Sequence, residues 1–193
     1  MSSKYSSLIA QAPFLESQVE NMGDSALVVS TRHSLGLMTL AARKAQDKTL
    51  ALRVREQFHI DLPQGPYRAA RGELAFAGLG PGAWLVTHEG GDRAIVDALT
   101  PVVSSVASVA DQSDGYAVLR LSGHGVRYTL GKLVPLDLHV RAFGVGAVAF
   151  TAVAHIAGIL WRLSDRDDGA PVFEIAIHRS FSEYLWRALF VSL

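Results

Sequence analysis

Two Asp-Leu pairs, Asp61-Leu62 and Asp137-Leu138, stand 76 positions apart, and much of the chain's pattern repeats at that offset. Each pair closes a segment with helical spacing. The same offset carries an apolar run at 72–77 onto one at 147–153, and Trp84 to within one residue of Trp161. A unit reading helix, Asp-Leu, strand, strand, helix therefore occurs twice, and the polar insert Ser164 to Pro171 lengthens the second copy. Duplication and a shared α+β grammar both account for the match. Either way the expected fold class is α+β: two similar α/β half-units, with mostly antiparallel sheets and helices packed on one face. The expected organisation is an extended N-terminal arm over 1–24, then a single domain over 25–193 whose halves meet near 111 and 112.

Local periodicity fills in the elements. Ala26 to Thr31, Gly36 to Ala41, Gly72 to Ala77, Ala83 to His88, Ser105 to Ala110 and Tyr116 to Leu121 have strand character. Lys48 to His59 carries Leu50, Val54 and Phe58 at helical spacing, and a second helix is expected over Asp92 to Leu99, stopped near Pro101. In Phe173 to His178, Phe173, Ile175 and Ile177 alternate with Glu174, Ala176 and His178, which predicts one core face and one wetter face. Ser180 with Glu183 three residues later reads as a capping box opening the last helix.

That last helix is apolar on nearly every side. Phe181, Tyr184, Leu185, Ala188 and Leu189 form a complete core stripe, while Trp186, Phe190 and Leu193 recur on another face. Glu183 and Arg187, at i and i+4, are the pair left for water. A face made of Trp186, Phe190 and Leu193 asks for a partner, because large aromatics lose little entropy on docking.

Composition narrows the function classes. Lys plus Arg equals Asp plus Glu at 18 each, and the scattered basic residues do not make a phosphate-tracking groove, so no nucleic-acid partner is expected. With no cysteine, disulfides, thiolate catalysis and iron–sulfur ligation are excluded. Met1 to Gln11 has no apolar stretch of signal length, which points to the cytoplasm. Ala142 to Trp161 is uncharged over twenty residues, the length of a membrane span, but its glycines and β-branched residues favour two buried strands, so no membrane partner is expected.

Candidates for chemistry are few. Gly78-Leu79-Gly80-Pro81-Gly82 leads from strand to strand and reads as a hairpin rather than a phosphate cradle. Ser122-Gly123-His124-Gly125 precedes a helix, with Ser122 as its expected cap. None of the seven histidines has metal-ligand spacing, and Asp111-Gln112-Ser113-Asp114-Gly115 reads as a hydrogen-bonded turn. The roles of His139 and His155 stay open at this level. Trp84 and Trp161 are expected in the core or on a sheet face.

Several segments, in order and at their spacings, carry a resemblance: Gly80-Pro81-Gly82-Ala83-Trp84-Leu85-Val86, Asp111-Gln112-Ser113-Asp114-Gly115-Tyr116, Asp137-Leu138-His139, Ala154-His155-Ile156 with Leu160-Trp161-Arg162, and Phe173-Glu174-Ile175-Ala176 with Arg179-Ser180-Phe181 and Leu185-Trp186. Together they resemble the gamma subunit of heterotetrameric sarcosine oxidase. The resemblance implies a flavoenzyme complex that oxidatively demethylates sarcosine to glycine, forming hydrogen peroxide and 5,10-methylenetetrahydrofolate. It implies FAD, FMN, NAD, zinc and tetrahydrofolate in the alpha, beta and delta subunits, with alpha the main contact of this chain. It assigns no cofactor, metal or catalytic residue to the gamma subunit, whose expected role is structural. The implied fold is similar to the folate-binding domains of an aminomethyltransferase and a tRNA-modifying GTPase. The family often has proline where His124 and Val140 stand here, which touches local turn geometry alone. The alternative reading is a stand-alone folate-dependent aminomethyl transferase domain, with Asp111, Asp137 or His155 as pterin contacts.

Overall fold

A computed structural model describes the backbone of Gln18–Glu20 and residues 27–192. The rest of the expected N-terminal arm, and Leu193, lie outside the described residues. The strands are β1 (Gln18–Glu20), β2 (Leu27–Thr31), β3 (Gly36–Ala42), β4 (Arg68–Arg71), β5 (Leu74–Gly80), β6 (Ala83–His88), β7 (Ala107–Asp111), β8 (Tyr116–Ser122), β9 (Val148–Val153), β10 (Ile156–Leu163) and β11 (Val172–His178). The helices are α1 (Asp47–Phe58), α2 (Asp92–Val103), α3 (Val126–Gly131) and α4 (Ser182–Val191). The described residues divide into two compact units, residues 34–115 with 146–149, and residues 18–20 and 27–33 with 116–145 and 150–192.

The first unit holds a five-stranded sheet in the order β4-β5-β6-β3-β7, with every pairing antiparallel. Alternate residues of its strands, Met38, Leu40, Phe76, Trp84 and Val86, pack with Leu50 and Val54 of α1 and Ile95 and Leu99 of α2 in one hydrophobic core. The two helices thus cover one face of the sheet, as the fold class requires. Helix α1 follows its expected period and stops at His59, whose left-handed backbone turns its N–H onto the Arg55 carbonyl.

Helix α2 does not stop before Pro101 but runs through it to Val103. Proline removes one helical N–H, the partner of the Asp97 carbonyl, yet Ile95, Leu99 and Val103 form a continuous buried stripe that outweighs the loss. Arg53 also holds this end, donating from Nη1 to the Val102 carbonyl at 3.1 Å and to Ser105 Oγ at 2.6 Å. The glycine run is a hairpin connection between β5 and β6 with an irregularity between Gly78 and Gly80. Gly78 is required there, because a Cβ would collide with the Gly65 carbonyl oxygen. Strand β4, Arg-Ala-Ala-Arg, has no apolar alternation and escapes the periodicity reading.

The second unit carries a six-stranded sheet in the order β1-β2-β8-β11-β10-β9. The uncharged run from 142 to 161 contains β9 and most of β10, joined by a tight turn in which Ala154 and His155 both take positive φ. No helix among the described residues is long and apolar enough to cross a membrane. Two local expectations change. Helix α3 starts at Val126 without a side-chain cap, and Ser122 is instead the last residue of β8, because Gly123 turns the chain at a positive φ. Ser180 is not a cap either, since a single 3-10 turn over Arg179–Phe181 winds it into the entry of α4.

Strand β11 is central, between β8 and β10, and every residue from Val172 to Ile177 is buried. The expected wetter face is therefore not wet, and Glu174 needs partners. Arg120 donates from Nε at 2.9 Å and Nη2 at 2.8 Å to Glu174 Oε1, and Arg32 Nε lies 3.1 Å from the same oxygen. Trp161 Nε1 donates to Oε2 at 2.8 Å. Both carboxylate oxygens are thereby engaged, which is what makes a buried carboxylate tolerable.

Candidate functional site

The candidate site is the surface of α4. Leu185 and Leu189 are fully buried and Ser182 nearly so, at i, i+3 and i+7, and this stripe fastens the helix to its unit. The expected five-residue stripe is thus corrected, because Phe181 is 45% and Tyr184 47% exposed. The helix is rotated so that the smaller Ser182 faces inward and the aromatic pair faces out. Trp186 and Phe190 flank the buried stripe on one side, half-buried and in contact, with ring planes tilted by 58° and centroids 5.0 Å apart. Leu193, the third expected member of that face, lies outside the described residues.

On the other side Phe181, Tyr184 and Val191, spaced i, i+3 and i+10, make an exposed apolar stripe, with Val191 at 88% exposure. Glu183 and Arg187 form an ion pair between the two flanks. Lys132 caps the end of the helix, donating from Nζ to the Ser192 carbonyl at 2.7 Å, while its ammonium sits 4.2 Å from the centroid of the exposed Tyr128 ring. The periodic reading misses Phe181, Tyr184, Val191 and Tyr128 as surface residues. A helix apolar all round carries no signal for which apolar stripe turns inward.

The polar candidates are absorbed by local turns. Asp111 Oδ1 accepts from the Ser113 N–H at 2.9 Å, and Asp137 Oδ1 accepts from the His139 N–H at 2.8 Å. His139 Nδ1 accepts from the Arg141 N–H at 3.3 Å, and His155 is the exposed tip of the β9–β10 turn. Among the described residues no group of three or more His, Asp or Glu side chains is arranged to hold a metal. A groove of about 730 Å³ between α1 and α2 is lined by Arg53, Glu56, Phe58, Asp97 and Pro101. Its arginine donates from Nη1 to the Val102 carbonyl and Ser105 Oγ, and Glu56 and Asp97 outnumber it in the lining, a charge balance that disfavours an anionic ligand.

The decisive comparison is with protein families. Residues 42–192 match the model described as sarcosine oxidase, gamma subunit family. The chain belongs to the sarcosine oxidase gamma subunit family. It is similar to the sarcosine oxidase subunit gamma of Arthrobacter sp, with 34% identity over 54% of this chain and 53% of that protein, and to that of Corynebacterium sp. (strain P-1), with 34% identity over 46% and 43%. The chain thus spans about half the length of the curated relatives it matches. Among solved structures, the heterotetrameric sarcosine oxidase of Corynebacterium sp. U-96, in complex with pyrrole 2-carboxylate, contains a chain that superposes with a TM-score of 0.76 at 26% identity, covering 90% of this chain and 86% of that one. The glycine cleavage system aminomethyltransferase T of Bartonella henselae shares the fold, with a TM-score of 0.58 and 17% identity over 83% of this chain and 44% of that one. Two similar antiparallel sheet-and-helix half-units are the common architecture of this gamma subunit family and the aminomethyltransferase fold.

Proposed function

We propose that this chain is a noncatalytic, structural subunit of a cytoplasmic heterotetrameric sarcosine oxidase, seated against the alpha subunit through Trp186, Phe190 and Leu193. The complex would oxidatively demethylate sarcosine to glycine with formation of hydrogen peroxide and 5,10-methylenetetrahydrofolate, its FAD, FMN, NAD, zinc and folate held by the alpha, beta and delta chains. Membership of the gamma subunit family carries this reading. The character of α4 supports it: apolar groups flank the buried stripe on both sides, and only Glu183 and Arg187 are charged. Such a surface gains from being covered, at roughly 25 cal/mol per Å² before the costs of association.

The test is co-expression with the candidate alpha, beta and delta chains followed by affinity capture of this chain. Stoichiometric recovery of the other chains with a flavin absorption spectrum is expected. A monodisperse chain that captures none of them overturns the subunit role. Calorimetric titration of the isolated chain with tetrahydrofolate distinguishes the transferase alternative, which requires tight binding where this proposal expects none.

A further inference from the structure

The two sheets follow one plan. In the first unit the chain runs β3-α1-β4-β5-β6-α2-β7, and the sheet is ordered β4-β5-β6-β3-β7. In the second it runs β8-α3-β9-β10-β11-α4, and the sheet is ordered β9-β10-β11-β8-β2, with β1 outside β2. Each element of the first unit thus has a counterpart at the same place in the second, and the place of β7 falls to β2. The details agree. Strand β7 lies antiparallel to β3, as β2 does to β8. Strand β2 buries Leu27 and Val29, where β7 buries Ala107 and half-buries Val109. The difference is covalent: β7 follows α2 after a three-residue connection, whereas β2 reaches its place from the opposite end of the sequence, ahead of β3.

We infer that the edge of β8 is a strand-binding site and that β2 is its exchangeable occupant, a strap whose covalent link to β3 the fold does not need. The contacts of β2 define what the site takes. Val28, Val29, Ser30 and Thr31 pair with Ser122, Leu121, Arg120 and Leu119, and the Arg32 N–H donates to the Val118 carbonyl at 3.0 Å. Just past the strand, Arg32 Nε lies 3.1 Å from Glu174 Oε1. The occupant is therefore an extended segment with apolar residues at alternate positions and an arginine at its C-terminal end, latched by the buried carboxylate. Strand β1 pairs with β2 from the same N-terminal segment and travels with it. The chain then passes to β3 through His33 and Ser34, both exposed, the kind of turn that is opened without loss of core contacts. This inference is independent of the subunit role proposed above.

A circular permutant tests the dispensable link. Opening the chain between His33 and Ser34 and joining Leu193 to Met1 keeps every residue, and residues 1–17 become the connection to β1 and β2. Such a connection reaches up to about 55 Å, so its length does not hold the strap away. The permutant is expected to fold with the native circular dichroism spectrum and a thermal midpoint within about 8 °C of the native chain. A permutant that stays unfolded, or melts lower than that, overturns the inference. Exchange is tested on the full chain with a protease site inserted between His33 and Ser34 and cut after folding. The N-terminal piece is expected to remain bound through gel filtration and to be replaced slowly by an isotope-labelled peptide of residues 18–33. Arg32→Met, which removes the latch, is expected to speed replacement at least about tenfold. Loss of structure on cutting overturns the inference. So does a retained piece that the peptide never replaces even in the Arg32→Met variant, since β2 would then be an integral strand rather than a strap.

Discussion

Glu174 is the clearest case of a residue whose surroundings determine its meaning. A carboxylate on a central strand is stable only because Arg120, Arg32 and the Trp161 indole occupy its two oxygens. Replacing it by glutamine keeps the shape but leaves two guanidinium groups without their counter-charge. Glu174→Gln is therefore expected to lower unfolding free energy by about 2–3 kcal/mol, less than for a fully buried pair because both arginines reach water. Trp161→Phe removes a single donor and is expected to cost about 1–2 kcal/mol. Urea unfolding of the two variants checks the order, and a Glu174→Gln loss below that of Trp161→Phe would show that the arginines do not depend on the carboxylate.

At the scale of elements, α2 shows tertiary burial overriding a local rule. Pro101 withholds a hydrogen bond from Asp97, and the stripe of Ile95, Leu99 and Val103 carries the helix past it. Pro101→Ala restores that bond while adding freedom to the unfolded chain, so a net gain of about 1 kcal/mol is expected, seen as a raised thermal midpoint. A lowered midpoint would mean that the proline ring itself is a packing element. The same balance explains what could be read from the sequence. Helix α1 and strands β3, β6 and β8 were legible because turn residues and a single periodic face define them. The wet face expected for β11 was not, because alternation is interpretable only when one side of a strand meets water, and a central strand buried on both sides has no such side. The capping residues failed for a related reason: Gly123 and the 3-10 turn at Arg179–Phe181 consume the segments in which Ser122 and Ser180 would have capped. At the candidate site, the position of the aromatic flank was legible from helical spacing. The rotation that exposes Phe181 and Tyr184 was not, because a helix with apolar groups on most sides has no unique phase.

For the whole molecule the question is whether α4 serves its own unit, a partner, or both, and its three stripes answer separately. Leu185 fastens the helix, so Leu185→Ala is expected to cost about 2–4 kcal/mol of stability through loss of buried methyl groups and the cavity left behind. Tyr184 and Val191 face outward, so Tyr184→Glu with Val191→Glu is expected to change stability by less than about 0.5 kcal/mol while making the isolated chain less prone to self-association. Trp186 is half-buried against Phe190 and lies between these limits. Trp186→Ala is expected to cost an intermediate amount of stability, but a larger fraction of partner capture than Leu185→Ala once both are compared well below their thermal midpoints. Thermal unfolding, light scattering and co-purification of the three variants separate the roles. If Trp186→Ala unfolds as easily as Leu185→Ala and still captures its partners in full, Trp186 is an internal brace rather than an anchor, and the partner must be held elsewhere on the chain.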